Sequence, residues 1–511
     1  MYPKIAKSNV CTRLHLWYGG AGLRAADWSH PADQTARSFE MEEHRMRNQL
    51  RLPVLAIVAV LAIAACTSGA TPTTAPGGSA PASVAPSESA AASESAPAAA
   101  PTPEPAIACA QSADANAMQM WERSGGNKGM VDILVCAWNE ANPTKPINLS
   151  YIVHTEMVAK IAQGIASGDV PDLMGMDLIY APQFENAGQL VDITDQTKDW
   201  PELADVSPGH KTVATFNDRL YGVPLYADVS ALFYNKDLFT QAGLDPNKPP
   251  TSLAEIREYA DKITALGNGV TGYYLPGNCA GCNIFTVGPL MWASGATIEA
   301  GKCGDEPLVG EGVKQVNQWA RDMVAAKNVP ESARAETGAT FAEQFGTGKL
   351  GMMGTGNFNI VLARDQMKGH EFEFGISLLP GVEAGNYASF IGGDLVVIPN
   401  GSQRVDDALA FMHYLLEDQQ QVELYAKALN LTTRTDPALQ DNEYYKAEPL
   451  IADVAKALAV GRTPYTLTFF EQINDPAGPW LQHLQRAYYT TDDLDTVINE
   501  AKEKMKAISC K

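Results

Sequence analysis

No stretch of this chain limits its fold more than the run from Tyr221 to Phe239, YGVPLYADVSALFYNKDLF. A glycine, Gly222, can take backbone angles closed to other residues, and Pro224 then fixes φ at the opening of an extended segment. Ser230 to Tyr234 is apolar and aromatic enough for a strand buried on both faces, and Asn235 turns the chain into a short helix starting near Lys236. Asp228 is the one acid near the start of that strand. The chain before it supplies the layers such a strand needs. Met118 to Glu122 reads as a strand, Gly125-Gly126 as a turn, and Gly129 to Glu140 as a helix with apolar Val131, Leu134, Val135 and Trp138. A strand over Ile147 to Val153 and a helix over Met157 to Ala166 follow, and Gly168-Asp169-Val170-Pro171-Asp172 turns into a third buried strand. The order β-α-β-α-β predicts an α/β fold with a parallel sheet covered on both faces.

Residues 1–45 show no sustained apolar period, so Met46 or Met41 reads as the true start. Arg47 and Arg51 make a basic leader, Leu52 to Ala62 its apolar segment, and Ile63-Ala64-Ala65-Cys66 a small-residue cleavage site. The apolar run, about 14 residues, is short of the roughly 20 that span a bilayer. Its end resembles a bacterial lipobox, which makes residues 46–66 a lipoprotein signal peptide and Cys66 the acylated first residue of the mature chain. Residues 67–112, rich in Ser, Thr, Ala and Pro, cannot bury enough apolar surface to offset the entropy of ordering, and read as a disordered tether. The folded body is expected over 113–511.

Several motifs now line up. An aromatic-Gly-x-Pro at Tyr221 to Pro224 precedes Tyr234-Asn235-Lys236-Asp237-Leu238-Phe239; Gly168-Asp169-x-Pro171-Asp172 precedes Ala187-Gly188-Gln189-Leu190; Phe345-Gly346-x-Gly348-Lys349-Leu350-Gly351-Met352-Met353 forms a helix-to-strand junction; and Gly392-Gly393-Asp394 leads into Leu395 to Pro399. Leu431-Thr432-Thr433-Arg434 stands where Pro-Thr-Arg is usual, with Thr432 in place of the proline. In this order and spacing the set resembles extracellular solute-binding protein family 1, the substrate-binding lipoproteins of carbohydrate-type ABC importers. The resemblance implies a two-lobed periplasmic-binding-protein-like fold, each lobe a mostly parallel sheet flanked by helices, with the ligand cleft between lobes. Lobe I is then expected at about 113–227 and 393–430, lobe II at about 228–392 and 431–511, with crossings near Ala227-Asp228, Gly392-Gly393 and Leu431. It further implies a sugar ligand, ABC transporter permease subunits as partners, membrane attachment through the lipid anchor alone, and a monomer in the cell envelope.

The formal charge of -21 argues against nucleic acid, whose phosphates require a concentrated basic surface. Gly-x-Ser-x-Gly, HExxH and GxxxxGK[ST] are all lacking and the eight histidines form no cluster, so nothing calls for catalysis, a cofactor or a metal. The alternatives are another small polar solute, such as a polyol or polyamine, and a lipoprotein glycoside hydrolase, which the many acids leave open. Cys109, Cys136, Cys279, Cys282, Cys303 and Cys510 allow 15 pairings. Cys109 is expected to pair with Cys136, because a helix after the first strand runs back past that strand's beginning. Cys279 and Cys282, in a Gly/Asn/Pro-rich loop, read as a structural disulfide rather than a redox or zinc site; the remaining pairing is open. A saccharide presents C–H faces to aromatic rings and hydroxyls to polar groups. The candidate ligand contacts are Trp121, Asp177, Tyr180, Asp228, Asn283, Phe285 and Phe358, while His154, Trp292 and Trp319 read as packing.

Overall fold

The computed structural model describes residues 105–124, 127–153 and 156–511. The leader, Cys66, most of the tether, the Gly125-Gly126 turn and His154 lie outside the described residues.

The principal strands are β1 (Met118–Arg123), β2 (Ile147–Ile152), β3 (Leu173–Asp177), β4 (Gly222–Asn235), β5 (Thr271–Tyr274), β6 (Leu350–Gly356), β7 (Phe374–Ser377) and β8 (Tyr387–Val397). Their order is β2-β1-β3-β8-β4-β6-β5, with β7 also on β4. The expected parallel set is present, since β1 runs parallel to β2 and β3. The return strand β8 lies antiparallel between β3 and β4. Beyond Val229 the same strand β4 pairs with β6 and β7 instead. One continuous strand thus belongs to two half-sheets, and two apolar cores pack against them, the larger reaching across both halves from Met176 of β3 to Trp480. Met118, Leu134, Trp138, Leu225 and Phe411 pack in one; Phe233, Tyr273, Met353 and Trp480 pack in the other. The architecture is two-lobed α/β, and Trp292 and Trp319 are buried in it.

β4 is longer than its apolar run, because Gly222 to Ala227 pair with β8 as well. Pro224 is tolerated there because the register shifts at Asp394/Leu395, which face Tyr226 and Pro224. β8 in turn starts at Tyr387, so Gly392-Gly393 sit within it rather than ahead of it. Both glycines are required by close approach. A Cβ on Gly393, at φ 107°, would lie 2.2 Å from the Tyr226 carbonyl oxygen, and one on Gly392 would lie 2.3 Å from Asp228 Oδ1. Gly392 pairs with Asp228, and Ala227 bridges Leu431, so the three expected crossings lie side by side.

Helices α1 (Lys128–Ala141), α2 (Met157–Ser167), α3 (Leu253–Thr264), α4 (Ala280–Thr286), α5 (Asn359–Gln366), α6 (Val405–Leu416) and α7 (Leu494–Ser509) flank these strands. Asn127 caps α1 by accepting from the Met130 N–H, and Ser252 caps α3 by accepting from the Glu255 N–H. The Glu255 carboxylate reaches back to Thr251 rather than Ser252, at 2.6 Å from its N–H. The Cys279/Cys282 segment departs from the expected loop, for Cys279 is the N-cap of α4 and its Sγ accepts from the Cys282 N–H. Two cysteines and Gly281 hide this short helix from a pattern search. Disulfides join Cys109 to Cys136, Cys279 to Cys282 and Cys303 to Cys510. The last fastens the end of α7 to a loop where Glu306 also meets Lys502 and Lys506. Among the described residues no helix is long and apolar enough to cross a membrane.

Candidate functional site

Strands β1 and β3 end at the same edge of the sheet, and β4 and β8 cross there. That edge of an α/β sheet, outside the carboxyl ends of its parallel strands, is where ligands usually bind. Four side chains converge on it. Arg123, the last residue of β1, donates from Nε to both Asp394 oxygens at 2.9 Å and from Nη2 to Asp394 Oδ1 at 2.6 Å. Its Nη2 also donates to the Tyr226 hydroxyl at 3.1 Å, and Nη1 stands 3.7 Å from Asp177 Oδ2. Asp394 is fully buried, so this forked pair is a fixed element, costly to break from either side. Register explains the convergence: Asp394 sits opposite Asp177 on one side and opposite Tyr226 on the other.

The floor is acidic overall. Glu122 is fully buried, and burial first, then Asp394, raises its carboxyl well above the usual range. Burial also pushes Asp228 up to about 7; Arg123 pulls against that shift, while Asp177 and Asp394 add to it. Behind the floor His210, fully buried, has Nε2 3.1 Å from the Tyr226 carbonyl and Nδ1 2.5 Å from Ser207 Oγ. Nε2 faces an acceptor and therefore carries the proton, which leaves Nδ1 to accept from Ser207. Burial holds that imidazole neutral, with its pKa lowered to about 4.

Above this floor opens a cleft of about 590 Å³. Arg123, Tyr226 and Asp228 form its base, and Asn127 and Asn430, joined Nδ2 to Oδ1 at 2.5 Å, make one wall. Asn357, Phe358 and Val361 make the other. Asn357 continues β4 sideways, its Oδ1 accepting from the Val229 N–H and its own N–H donating to the Val229 carbonyl. The far end closes on Arg364 and Glu448, a forked ion pair at 2.9 and 3.2 Å.

Of the sequence candidates, the structure brings Asp228 and Phe358 into this cleft, Phe358 with 46% of its surface exposed. Asp177 and Tyr180 share a small adjoining recess with Arg123, and Tyr180 lies against Asn474. Phe285 stands behind Phe358 at 6.0 Å between ring centroids and 5.2 Å from Phe390, which makes it a support for the exposed ring. Two further candidates lie away from the cleft, its recess and the Phe358 ring. Asn283 is fully buried and spends its Nδ2 on the carbonyls of Pro276 and Cys279. Trp121 lies against α2 at Gly164, under Lys160 Nζ at 4.5 Å. Side chains alternate along a strand, so Trp121 and Arg123 share a face, and the residue that emerges past α2 is Arg123. Sequence reading passed over Arg123, Asn127, Tyr226, Asp394, Leu429 and Asn430. The position of Arg123 at the carboxyl end of a parallel strand is the signal that could have found it.

The sequence profile of bacterial extracellular solute-binding proteins matches residues 134–453. The chain is 26% identical over 290 residues to the maltooligosaccharide ABC transporter solute-binding lipoprotein of Streptococcus pneumoniae TIGR4, a match covering 54% of this chain and 63% of that one. It is 23% identical over 382 residues to the sn-glycerol-3-phosphate-binding periplasmic protein UgpB of Salmonella typhimurium, covering 70% of this chain and 84% of that one. Among solved structures, the cyclic alpha-maltosyl-1,6-maltose binding protein from Arthrobacter globiformis superposes with a TM-score of 0.65 at 23% identity, over 77% of this chain and 98% of that one. With the family profile spanning more than half of its length, the chain belongs to the bacterial extracellular solute-binding proteins.

Proposed function

We propose that this protein captures a saccharide between its two lobes and delivers it to the permease of an ABC importer, held at the outer face of the membrane by an acyl group on Cys66. The observation that carries the sugar reading is the pairing of a half-exposed aromatic ring, Phe358, with carboxylate and amide groups around one 590 Å³ cleft. A pyranose has the same two surfaces, a C–H face that stacks on a ring and hydroxyls that donate to Asp228 and exchange hydrogen bonds with Asn127, Asn357 and Asn430. Asp177, Tyr180 and Arg123 would meet the part of the ligand nearest the adjoining recess. Binding would close the lobes about the crossings at Ala227-Asp228, Gly392-Gly393 and Leu431.

A phosphate-bearing solute fits this floor poorly. Its arginine is already matched by Asp394, and Asp177 adds further negative charge beside it. The same acidity favours the second reading, a cationic polyamine. A thermal-shift panel of mono- and oligosaccharides, spermidine and glycerol 3-phosphate separates them, because a ligand bound only by the native state raises the melting temperature. The expected result is a rise with a saccharide and recovery of that saccharide unchanged. A rise with spermidine alone would favour the polyamine, and conversion of the sugar would mean hydrolysis.

A further inference from the structure

The cleft is not uniformly polar. Its floor carries Arg123, Tyr226 and Asp228, yet its outer rim carries Phe358, Val361 and Leu429, exposed by 46%, 64% and 42%. Exposed helix positions are ordinarily polar. Val361 lies one turn from Phe358 and so shares its face of α5, together with Leu362, itself 41% exposed. Across the cleft Leu429 is held at φ 57°, a left-handed conformation that a leucine rarely adopts. The turn leaves it no other choice: the Leu429 N–H donates to the Ala426 carbonyl, the Asn430 N–H to the Tyr425 carbonyl, and the Asn430 carbonyl accepts from the Tyr445 hydroxyl. Glycine or asparagine is the ordinary residue at such a helix end. A strained leucine whose side chain faces the cleft instead of the core marks a place where an apolar group is wanted.

Aliphatic side chains gain little from sugar hydroxyls and lack the ring face that suits a pyranose. They gain by covering apolar surface. The end they line is also without net charge, because Arg364 and Glu448 neutralise each other. We propose that the ligand is amphipathic: a saccharide head seated on the Asp228 and Arg123 floor, carrying an apolar aryl or alkyl aglycone held between Leu429 and Val361. This rests on the saccharide reading above and narrows it to glycosides of apolar alcohols.

The test is calorimetric titration with matched methyl and phenyl glycosides of glucose, galactose and mannose, in both anomers. For a sugar that binds, the phenyl glycoside should bind about tenfold tighter, the return on covering roughly 60 Å² of apolar surface. Leu429→Gly and Val361→Ser should each shrink that ratio toward one. Leu429→Gly should also leave the ligand-free melting temperature level or raise it, because glycine takes the left-handed turn without strain. Equal affinity of methyl and phenyl glycosides in the wild type would overturn the aglycone and leave the saccharide reading intact. A variant that weakens both glycosides by the same factor would overturn it too, and would make the rim a contact between closing lobes. Failure of every glycoside, methyl and phenyl alike, while an oligosaccharide still raises the melting temperature would overturn the aglycone alone; failure of the oligosaccharides as well would bring down both readings.

Discussion

Phe358→Ala is the substitution whose cost can be worked most directly from the geometry. The ring leaves 46% of its surface exposed, roughly 90 Å² if a whole phenylalanine side chain offers about 200 Å². A pyranose laid on one face would cover about half of that, worth ~1.1 kcal/mol at ~25 cal/mol per Å². Stacking adds about 0.5–1.5 kcal/mol if aromatic pairs are a guide. The sum of ~2 kcal/mol corresponds to a loss of about 30-fold in affinity. Folding should suffer much less. The ring's partner is Phe285 at 6.0 Å and its outer side is open, so the ligand-free protein should lose only about 1 kcal/mol. The assay is a pair of measurements on one preparation, calorimetric titration with the saccharide that binds the wild type and a urea melt without it. Phe358→Trp should keep or improve affinity. Unchanged affinity in Phe358→Ala, combined with a large fall in stability, would make this ring part of the core and refute the stacking argument.

Gly393→Ala should destabilise the fold by about 3 kcal/mol or more in a urea melt, since the new methyl would have to sit 2.2 Å from the Tyr226 carbonyl at a φ of 107°; a neutral result would mean that β8 can shift. Glu185 is buried with neither oxygen hydrogen-bonded, and burial raises its pKa to about 8. The unfolded chain releases that proton near its ordinary value of 4.5, so stability should fall as pH rises from there to about 8 and then level off. Glu185→Gln should flatten that limb of the profile, and an unaltered slope would assign it to other groups such as Asp228. Replacing Cys303 and Cys510 together by serine opens a loop of 207 residues, worth at most about 5 kcal/mol by chain entropy, against about 1.5 kcal/mol for the pair Cys279 and Cys282, three residues apart. Melting temperatures should rank in that order, and the reverse order would count against a chain-entropy origin.

How much of this could be read from the residues depended on range. The crossing strand β4 was legible because its apolar run and the Gly-x-Pro before it are local signals, as is the cap that Asn235 places on the helix after it. The flanking β-α-β-α-β order was legible for the same reason. Arg123 was not, since its partner Asp394 lies 271 residues away and a charged residue ending a short strand looks like a solvated one. Trp121 is an aromatic near the end of that same strand. Which of two residues on one strand face emerges depends on where α2 stops, and no period records that. Leu429 was hidden more deeply still, because its meaning lies in a backbone angle. Nothing in a leucine announces a positive φ. Asp228 and Phe358 were within reach because each stands a few residues from a motif of fixed geometry.

The central claim is that a saccharide is held at the junction of β1, β4 and β8, under Phe358 and against Asp228. Hydrogen-exchange mass spectrometry with and without a saturating saccharide that raises the melting temperature tests it most directly. Amide exchange should slow together in 226–229, 357–361 and 428–430, segments far apart in sequence that meet only around this cleft. Protection absent from those segments and confined to another site, such as the apolar 260 Å³ cavity beside Val206, His210 and Leu220, would contradict it.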